Sequence, residues 1–426
     1  MSNPIADPTD PGEPTTPAQP TNAGQGEADH APTAGETQPG ESAYSHESLA
    51  ELEREVSTER STETEPYDAV VLVSFGGPEA PEEVMPFLRR VTRGRGIPDE
   101  RLAEVAEHYH AFGGKSPIND QNRALLAALG EEFARRDIST PLLWGNRNSE
   151  PFLTDVLRGA AEEGMTRVLA VTTSAYSSYS SCRQYREDIA ESINELTEEG
   201  SPVRVDKIRQ YWNHPGFSST NARLVTEAAR QVRDSSGVLP HLVFVTHSIP
   251  DAMDDTSGPG DGDGNVYSAQ HLALTRAITD EARATLGEEL VGELTYCSRS
   301  GPPTQPWLEP DVNDRLRELA AEGVTHVVLA PIGFVSDHME VVFDLDTEAQ
   351  ETAGEVGIQV LRVPTVGIDP QFVSGLVDLV TERAAQARGE SPERPAWPVS
   401  EPWPSVCAPG CCPNLRVAKP AACGSD

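Results

Sequence analysis

Residues 69–78, AVVLVSFGGP, decide the fold class of this chain. Val70 to Val73 form a short, continuous apolar run that is mainly β-branched, which suits a strand buried on both faces. The run leads into SFGGP (74–78), a sequence typical of a tight turn, and then into a helical stretch. This unit is the beginning of an α/β protein with a parallel sheet.

The same unit recurs along the chain. Further apolar runs are separated by amphipathic segments of helical length, and these runs are 141–144, 167–171, 202–205, 242–245, 290–296, 326–329 and 358–363. The alternation predicts an α/β fold of two Rossmann-like halves, each a parallel sheet of about four strands flanked by helices, with a cleft between them. Ligands of such sheets bind beyond the carboxyl ends of the strands, so functional residues are expected just after the apolar runs.

The composition outside this region predicts two further segments. Residues 1–66 are acidic, poor in aromatic side chains and rich in Pro, Thr and Gly, so they are predicted to form a disordered N-terminal extension. Residues 67–238 and 239–388 are predicted to be the two Rossmann-like halves. Residues 389–426 are predicted to be a Cys-rich C-terminal tail.

The net charge of −35 argues against binding to nucleic acid or to anionic lipid. No apolar stretch reaches the ~18–20 residues of a membrane helix, and the N-terminus has no signal-peptide pattern. We therefore expect a cytoplasmic monomer without membrane insertion. In that compartment its six cysteines would be reduced.

A histidine and an acidic repeat follow two of the predicted strands. His247, in THSIP (246–250), can exchange protons near neutral pH and bind a metal ion, although an isolated strand-end histidine is more often structural. Glu340, Asp344 and Glu348 recur every four residues, which predicts one acidic stripe on a helix.

The spacing of the acidic stripe does not by itself decide its role. An exposed acidic face and a path for a dication or for protons fit equally well. Ser336 or Asp337 is predicted to be the N-cap of this helix. A third strand end, 174–185, is rich in hydroxyl groups and either binds anionic groups or caps the next helix.

Several longer motifs together resemble the ferrochelatase family, in the family's order over roughly residues 67–388. They are SFGGP (74–78), RGRGIP (93–98), HYHAFGGKSPIN (108–119), THSIP (246–250) and PIGFVSDHMEVVFDLD (331–346). SAYSSYSSCRQYRED (174–188) and the Cys-rich tail resemble the actinobacterial branch, whose members resemble coproporphyrin ferrochelatases. The resemblance implies a lyase of haem biosynthesis that inserts Fe2+ into coproporphyrin III to form coproheme, with transient contacts to other haem-pathway enzymes.

The resemblance also implies roles for individual residues. His247 and Glu340 would be the catalytic residues facing each other across the porphyrin, and Asp344 and Glu348 would continue an acidic ladder towards solvent. These four side chains would also bind the substrate Fe2+. Phe75 stands where other members have Tyr or Met, so it cannot ligate iron and is expected to contact the macrocycle.

Polar residues of the predicted pocket would bind the propionates. The candidates that match family positions are Arg93, Arg95 and Ser116. Tyr185 and the hydroxyls of 177–181 are additional candidates, since coproporphyrin has four propionates. Arginine presents a planar fork of donors that suits carboxylates, although surface salt bridging is the alternative for both arginines.

Clustered cysteines in a reducing compartment indicate a zinc or iron–sulfur site. The resemblance favours a [2Fe–2S] cluster with one ligand from the body and three from the tail. The expected ligands are Cys182, Cys407, Cys411 and Cys412, with Cys423 in reserve. Such a cluster would attach the tail to the body in a structural or sensing role, and free thiols are the alternative. Cys297 is predicted to be a small buried apolar residue.

Three other functions fit parts of the sequence. Protoporphyrin IX could replace coproporphyrin III as the substrate of the same reaction. A cobalt chelatase of corrinoid synthesis shares the fold but usually lacks the long SPIN-type and SFGGP stretches. A non-catalytic haem or porphyrin carrier would use the same cleft, but it would not need His247 and an acidic ladder.

Overall fold

The computed structural model describes residues 63–94, 96–259, 264–301 and 304–424. Most of the predicted disordered extension, residues 1–62, lies outside the described residues, as does Arg95. The strands are β1 (Ala69–Ser74), β2 (Leu142–Asn146), β3 (Arg167–Thr172), β4 (Arg204–Lys207), β5 (His241–His247), β6 (Gly292–Cys297), β7 (His326–Ala330) and β8 (Gln359–Arg362).

Helices occupy most of the connections between the strands. They are α1 (Pro81–Val91), α2 (Asp99–Ala111), α3 (Ile118–Arg135), α4 (Leu153–Glu162), α5 (Gln184–Glu198), α6 (Pro215–Ser236), α7 (Asp251–Asp255), α8 (Val266–Leu286), α9 (Val312–Ala321), α10 (Met339–Phe343), α11 (Ala349–Val356) and α12 (Pro370–Ala387). Single π-helical turns cover Tyr179–Arg183 and Asp344–Glu348. None of the helices in the described part of the chain has the length and apolar character needed to cross a membrane.

The strands form two four-stranded sheets with the orders β2-β1-β3-β4 and β6-β5-β7-β8. All the strand pairs in both sheets are parallel. The predicted fold class is therefore confirmed, and each predicted apolar run overlaps one strand. The predicted boundary at residue 238 falls between β4 and β5, and the domain limits themselves stay a prediction.

One apolar core extends through both sheets. It includes Leu72 and Leu169 from the first sheet, Phe244 and Val328 from the second, and Phe217 from α6 between them. Smaller apolar clusters cover the opposite faces of the two sheets. Burial on both faces explains why the strands appear in the sequence as uninterrupted apolar runs.

The strand order places a ligand-binding position at the ends of β5 and β7. These strands are neighbours at the centre of the second sheet, while β6 and β8 lie on opposite sides of them. In open parallel sheets, ligands bind in the crevice where the strand order reverses in this way. The segments that follow β5 and β7 therefore begin next to each other at this crevice.

The segment after β7 passes very close to the end of β5. The backbone N–H of Gly333 donates to the carbonyl of Val245 at 3.1 Å. A Cβ atom on Gly333 would lie 2.1 Å from Oγ1 and 2.7 Å from Cα of Thr246. Only glycine allows this approach without displacing the backbone.

Replacement of Gly333 by alanine is expected to lower the free energy of unfolding by about 1–3 kcal/mol, because the added methyl group overpacks the end of β5. Urea denaturation followed by circular dichroism measures this change. Gly354→Ala is the matched control, since a Cβ there meets nothing within 4 Å inside α11. The control should stabilise by about 0.5–1 kcal/mol, and wild-type stability of Gly333→Ala would contradict the close approach.

Candidate active site

His247 and Glu340 form the centre of the candidate site. His247 is the last residue of β5, and Glu340 lies in the first turn of α10, after β7. Nε2 of His247 lies 3.6 Å from Oε2 of Glu340, and the two side chains keep 34% and 49% of their area exposed. The fold therefore brings together the two residues predicted to be catalytic, and solvent can reach both.

The tautomer of His247 is set by the backbone carbonyl of the next residue, Ser248. Nδ1 lies 2.5 Å from the carbonyl oxygen of Ser248, which can only accept, so Nδ1 carries a proton. Nε2 is then left to face Glu340. Burial alone would lower the pKa of His247, but Glu340, the Ser248 carbonyl and Asp344 outweigh it and raise this pKa. A raised pKa favours proton uptake near neutral pH.

Asp344 continues the acidic ladder from Glu340. Its Oδ2 accepts a hydrogen bond from the hydroxyl of Ser298, which follows β6 with a φ of 62°. Burial raises the pKa of Asp344 to about 7, and the charge of Glu340 adds to this effect although Ser298 and His247 oppose it. Asp344 can therefore gain and lose a proton near neutral pH.

Glu348 occupies the outer end of the ladder and is exposed. Partial burial raises the pKa of its carboxyl, as does the charge of Asp311, whereas His108 lowers it. The ring of His108 stacks on Phe343 at 4.0 Å, so α2 lies directly beside the ladder. In the predicted ladder, the half-buried Asp344 thus lies between the exposed Glu340 and Glu348.

One detail of the predicted helix that carries this ladder, its N-cap, is wrong. Its N-cap is His338, not Ser336 or Asp337, because Asp337 accepts a hydrogen bond from Arg362 instead. The α-helix also changes to a π turn at Asp344–Glu348. A π turn closes hydrogen bonds between residues five apart, so it counteracts the drift of a four-residue repeat around an α-helix.

His338 is a site residue that the sequence analysis did not single out. Its Nδ1 lies 4.0 Å from Oε2 of Glu340, and its ring lies edge-on to Phe334 at 5.3 Å. Burial lowers the pKa of His338, so its ring is neutral near pH 7. Its position two residues before Glu340 was the available signal.

Phe75 contributes to an apolar wall beside the pair. Its ring meets Phe87 edge-on at 6.1 Å, and Phe87 lies 6.0 Å from Tyr109. The same apolar cluster includes Met339, the residue before Glu340. Phe75, after β1, and residues of α1 and α2 therefore form a continuous apolar surface with the helix that carries Glu340.

Arg147, which follows β2, is a second residue that the sequence analysis missed. Its guanidinium carbon lies 5.6 Å from the ring centre of Phe75 and 4.4 Å from that of Tyr185. It also forms an ion pair with Asp188. Tyr185 is buried, and its ring packs against the guanidinium of Arg147. The polar residues at 146–149, directly after a strand, were the available signal.

The other predicted propionate contacts stay predictions. Arg93 is exposed in the turn after α1. Ser116 is buried, and its backbone N–H donates to the carbonyl of Pro78 at 2.8 Å. Arg95 lies outside the described residues.

Four of the six cysteines form one buried group. Its members are Cys182, Cys407, Cys411 and Cys412. Sγ of Cys412 lies 4.0 Å from Sγ of Cys182 and 3.8 Å from Sγ of Cys411. Cys412 also exchanges two hydrogen bonds with Gly258: its N–H donates to the Gly258 carbonyl at 2.9 Å, and its Sγ accepts from the Gly258 N–H at 3.1 Å.

Positive side chains surround this cysteine group. Hydrogen bonds from Cys407 and Cys412 lower the pKa of Cys411, and nearby Arg186 and Arg183 lower it further. Lys207 is buried and donates to two neutral oxygens, the Ile208 carbonyl at 2.7 Å and the Gln210 side chain at 2.6 Å. The environment therefore favours a negative charge on Cys182 and Cys411, whereas hydrogen bonds within the group and burial raise the pKa of Cys407 and Cys412.

The remaining two cysteines lie apart from this group. Sγ of Cys423 donates to the carbonyl of Val205 at 3.3 Å and packs beside the first sheet. Cys297 is buried in the second sheet opposite His247. Within the described ranges, no group of three or more His, Cys, Asp or Glu side chains is already arranged to hold a metal ion.

A cavity of about 330 Å³ lies between α6, α8 and Trp397 of the tail. Arg223, Arg230, Glu227 and Glu281 contribute charges of both signs to its lining. None of the residues predicted for catalysis, porphyrin binding or the iron–sulfur cluster lines this cavity. It is therefore separate from the His247–Glu340 pair.

Comparison with known proteins agrees with the sequence motifs. The ferrochelatase family model matches residues 67–384. A relative from Streptomyces griseus named coproporphyrin III ferrochelatase is 54% identical over 364 residues, which cover 85% of this chain and 97% of the relative. Relatives of the same name from Leifsonia xyli and Streptomyces coelicolor are each 51% identical and cover 86% and 85% of this chain, and 96% and 97% of their own lengths. The predicted family is confirmed.

Asp344→Asn tests the raised pKa inside the site. The ordinary pKa of an aspartate is 3.8 and that of folded Asp344 is about 7, so the folded state binds this proton more tightly than the unfolded state. Its contribution to stability is fully present below about pH 4 and is lost as the pH rises through about 7.

The wild type should therefore lose more stability than Asp344→Asn between pH 4 and pH 8, by on the order of a few kcal/mol. Urea unfolding in metal-free buffer at several pH values measures the difference. Asp280→Asn, at an exposed position in α8, is the control and should follow the wild type. Parallel curves for wild type and Asp344→Asn would show that this carboxyl is not perturbed.

Proposed function

Since the chain belongs to the ferrochelatase family, we propose that it inserts Fe2+ into coproporphyrin III and releases coproheme in haem biosynthesis. The observation that carries the proposal is the His247–Glu340 pair, 3.6 Å apart in the crevice between β5 and β7. The relatives named coproporphyrin III ferrochelatase support the choice of substrate, since the similarity extends over almost their whole lengths.

Metal insertion exchanges two pyrrole N–H protons for one Fe2+, so the site must remove two protons from the porphyrin. His247 accepts a pyrrole proton at Nε2, because Nδ1 already donates to Ser248. Its raised pKa favours this step, and Glu340 stabilises the imidazolium that forms. His247 therefore acts as the general base.

The acidic ladder carries the proton away from His247. Glu340 lies next to the imidazole, and Asp344, with a pKa of about 7, takes up and releases protons readily near neutral pH. Glu348 then lies at the exposed end. Imidazole and carboxylate groups are also suitable donors for Fe2+, so the same path admits the substrate cation. Two protons leaving for each Fe2+ entering keep the charge of the ladder constant.

The apolar wall and the polar strand ends orient the macrocycle. Phe75 offers an aromatic surface to the porphyrin plane, and the guanidinium of Arg147, paired with Asp188, supports the ring of Phe75. Arg93, Arg95, Ser116 and Tyr185 are the proposed propionate contacts. The cytoplasmic location, the monomeric state and the transient contacts with other haem-pathway enzymes stay predictions.

We propose that the cysteine group holds a [2Fe–2S] cluster. Four buried thiols from body and tail, none of them in a disulfide, provide the number and type of ligands that such a cluster requires. A cluster with four thiolates is anionic, which fits the surrounding Arg183, Arg186 and Lys207. When bound, it would supply a redox-active cross-link, and metal insertion itself transfers no electrons.

His247→Ala is expected to lower the rate of coproporphyrin III metallation by at least about 100-fold, because the general base is lost. Purified protein is incubated anaerobically with Fe2+ and the porphyrin, and the Soret and Q bands are followed. His326→Ala is the matched control, because His326 begins the neighbouring strand β7 at the opposite edge of the sheet. Retention of full activity by His247→Ala would overturn the assignment.

Parallel reactions with protoporphyrin IX separate the alternative functions. The proposed enzyme should metallate coproporphyrin III with the higher kcat/KM. Preference for protoporphyrin IX would change the substrate and leave the reaction unchanged. A chain that binds both porphyrins and metallates neither would be a carrier.

Cys412→Ser is expected to lose most of the cluster iron and sulfide and to lower the Tm, because the tail loses its attachment to the body. Visible absorption, iron and sulfide content, and thermal unfolding of protein purified without oxygen measure these effects. Cys423→Ser should retain the cluster, since Cys423 lies apart from the cysteine group. Full cluster content in Cys412→Ser would remove Cys412 from the ligand set.

A further inference from the structure

A buried polar network lies directly behind His247 and has no part in the ladder described above. Thr246 precedes His247 in β5, while Tyr267 and His271 lie one turn apart in α8. Oγ1 of Thr246 lies 2.8 Å from the hydroxyl of Tyr267 and 2.9 Å from Nε2 of His271. All three are buried, so a porphyrin cannot contact them directly.

The position of the protons in this network follows from His271. Its Nδ1 lies 2.7 Å from the backbone carbonyl of Tyr267, which can only accept, so Nδ1 carries a proton. Complete burial lowers the pKa of His271 to about 3, so the ring is neutral and Nε2 accepts. The hydroxyl proton of Thr246 therefore points to His271.

The Tyr267 hydroxyl connects this arrangement to the catalytic histidine. Because Thr246 donates to His271, the proton of the Tyr267 hydroxyl is shared between Oγ1 of Thr246 and the backbone carbonyl of His247, which lies 2.8 Å away. These hydrogen bonds hold the side chain of Thr246 and the carbonyl of His247, so they fix the backbone of both residues. The imidazole of His247 is left free to face Glu340.

His271 also connects to the segment that carries Glu340. Its ring stacks on Tyr176 at 3.6 Å with an interplanar angle of 16°. The hydroxyl of Tyr176 donates to the carbonyl of Ile332 at 2.9 Å. Ile332 precedes Gly333, where the segment after β7 passes over the end of β5. The buried ring of His271 thus contacts both Thr246, which precedes His247, and Tyr176, which holds the segment leading to Glu340.

We infer that His271 is a positioning residue, which sets the separation of His247 and Glu340 by fixing the Thr246 hydroxyl and by stacking on Tyr176. The inference rests on the proposed function, since it concerns the rate of that reaction. Small displacements of reacting groups reduce rates strongly, by about 100-fold for 1 Å. A histidine that only filled the core would affect stability without a selective effect on kcat.

His271→Phe and His271→Gln in the full-length protein test this role. Phenylalanine keeps a flat ring on Tyr176 but forms neither hydrogen bond, so kcat should fall at least about ten-fold while the KM for coproporphyrin III stays within about two-fold. Glutamine restores an acceptor for Thr246 and should recover most of kcat.

Thr246→Val provides a second, independent variant, because it removes the hydroxyl that His271 fixes and keeps the side-chain shape. It should lower kcat to a similar extent. The double variant His271→Phe/Thr246→Val should be no slower than the slower single variant, since both changes break the same hydrogen bond. Additive losses would show that the two residues act separately.

Ile278→Ala is the matched control, since Ile278 is buried in the same helix and has no part in the network. It should lower the Tm and leave kcat per folded molecule unchanged. The inference is overturned if His271→Phe keeps the wild-type kcat, or if Ile278→Ala loses kcat equally. If His271→Phe does not fold, His271→Gln and Thr246→Val decide by the same criteria. A wild type that metallates no porphyrin would overturn the proposed function and this inference with it.

Discussion

The parallel pairing of β5 with β7 is the constraint on which the candidate site depends. The register places Phe244 opposite Ala330, so both strands end at the same edge of the sheet. Gly333 then allows the segment after β7 to cross the end of β5 in direct contact. The His247–Glu340 distance of 3.6 Å is a consequence of this crossing. The two residues are far apart in sequence, and neighbouring parallel strands bring them together.

Burial gives the charged groups of this acidic protein different properties in different places. Beside His247 it raises the pKa of Asp344 to about 7, so that a carboxyl can exchange protons at neutral pH. Around the cysteine group, the hydrogen bond with Cys412 lowers the pKa of Cys182 against the opposing effect of burial, and Lys207 and Arg186 lower it further. Although the whole chain has a net charge of −35, the surroundings of Cys182 and Cys411 are locally positive and lower the pKa of these two thiols.

Ser257 and Gly258, which follow α7, contact both the tail and the helix behind His247. Cys412 binds the backbone of Gly258. The hydroxyl of the adjacent Ser257 accepts from the backbone N–H of Tyr267 at 3.0 Å. Tyr267 in turn contacts the carbonyl of His247. The residues that receive the tail thus also hold the first turn of the helix behind His247.

The sequence by itself determined the strands and the fold class, and it singled out the His247–Glu340 pair. Parallel strands buried on both faces must be apolar throughout, and this pattern is visible without a structure. The motifs around His247 and Glu340 identified the family, and the clustered cysteines indicated the cysteine group. Only the tertiary structure decided the contribution of Arg147, His338 and His271, and the π turn within the acidic helix. These features depend on distances between strand ends, loops and helices that are remote in sequence, and a local pattern carries no information about such distances.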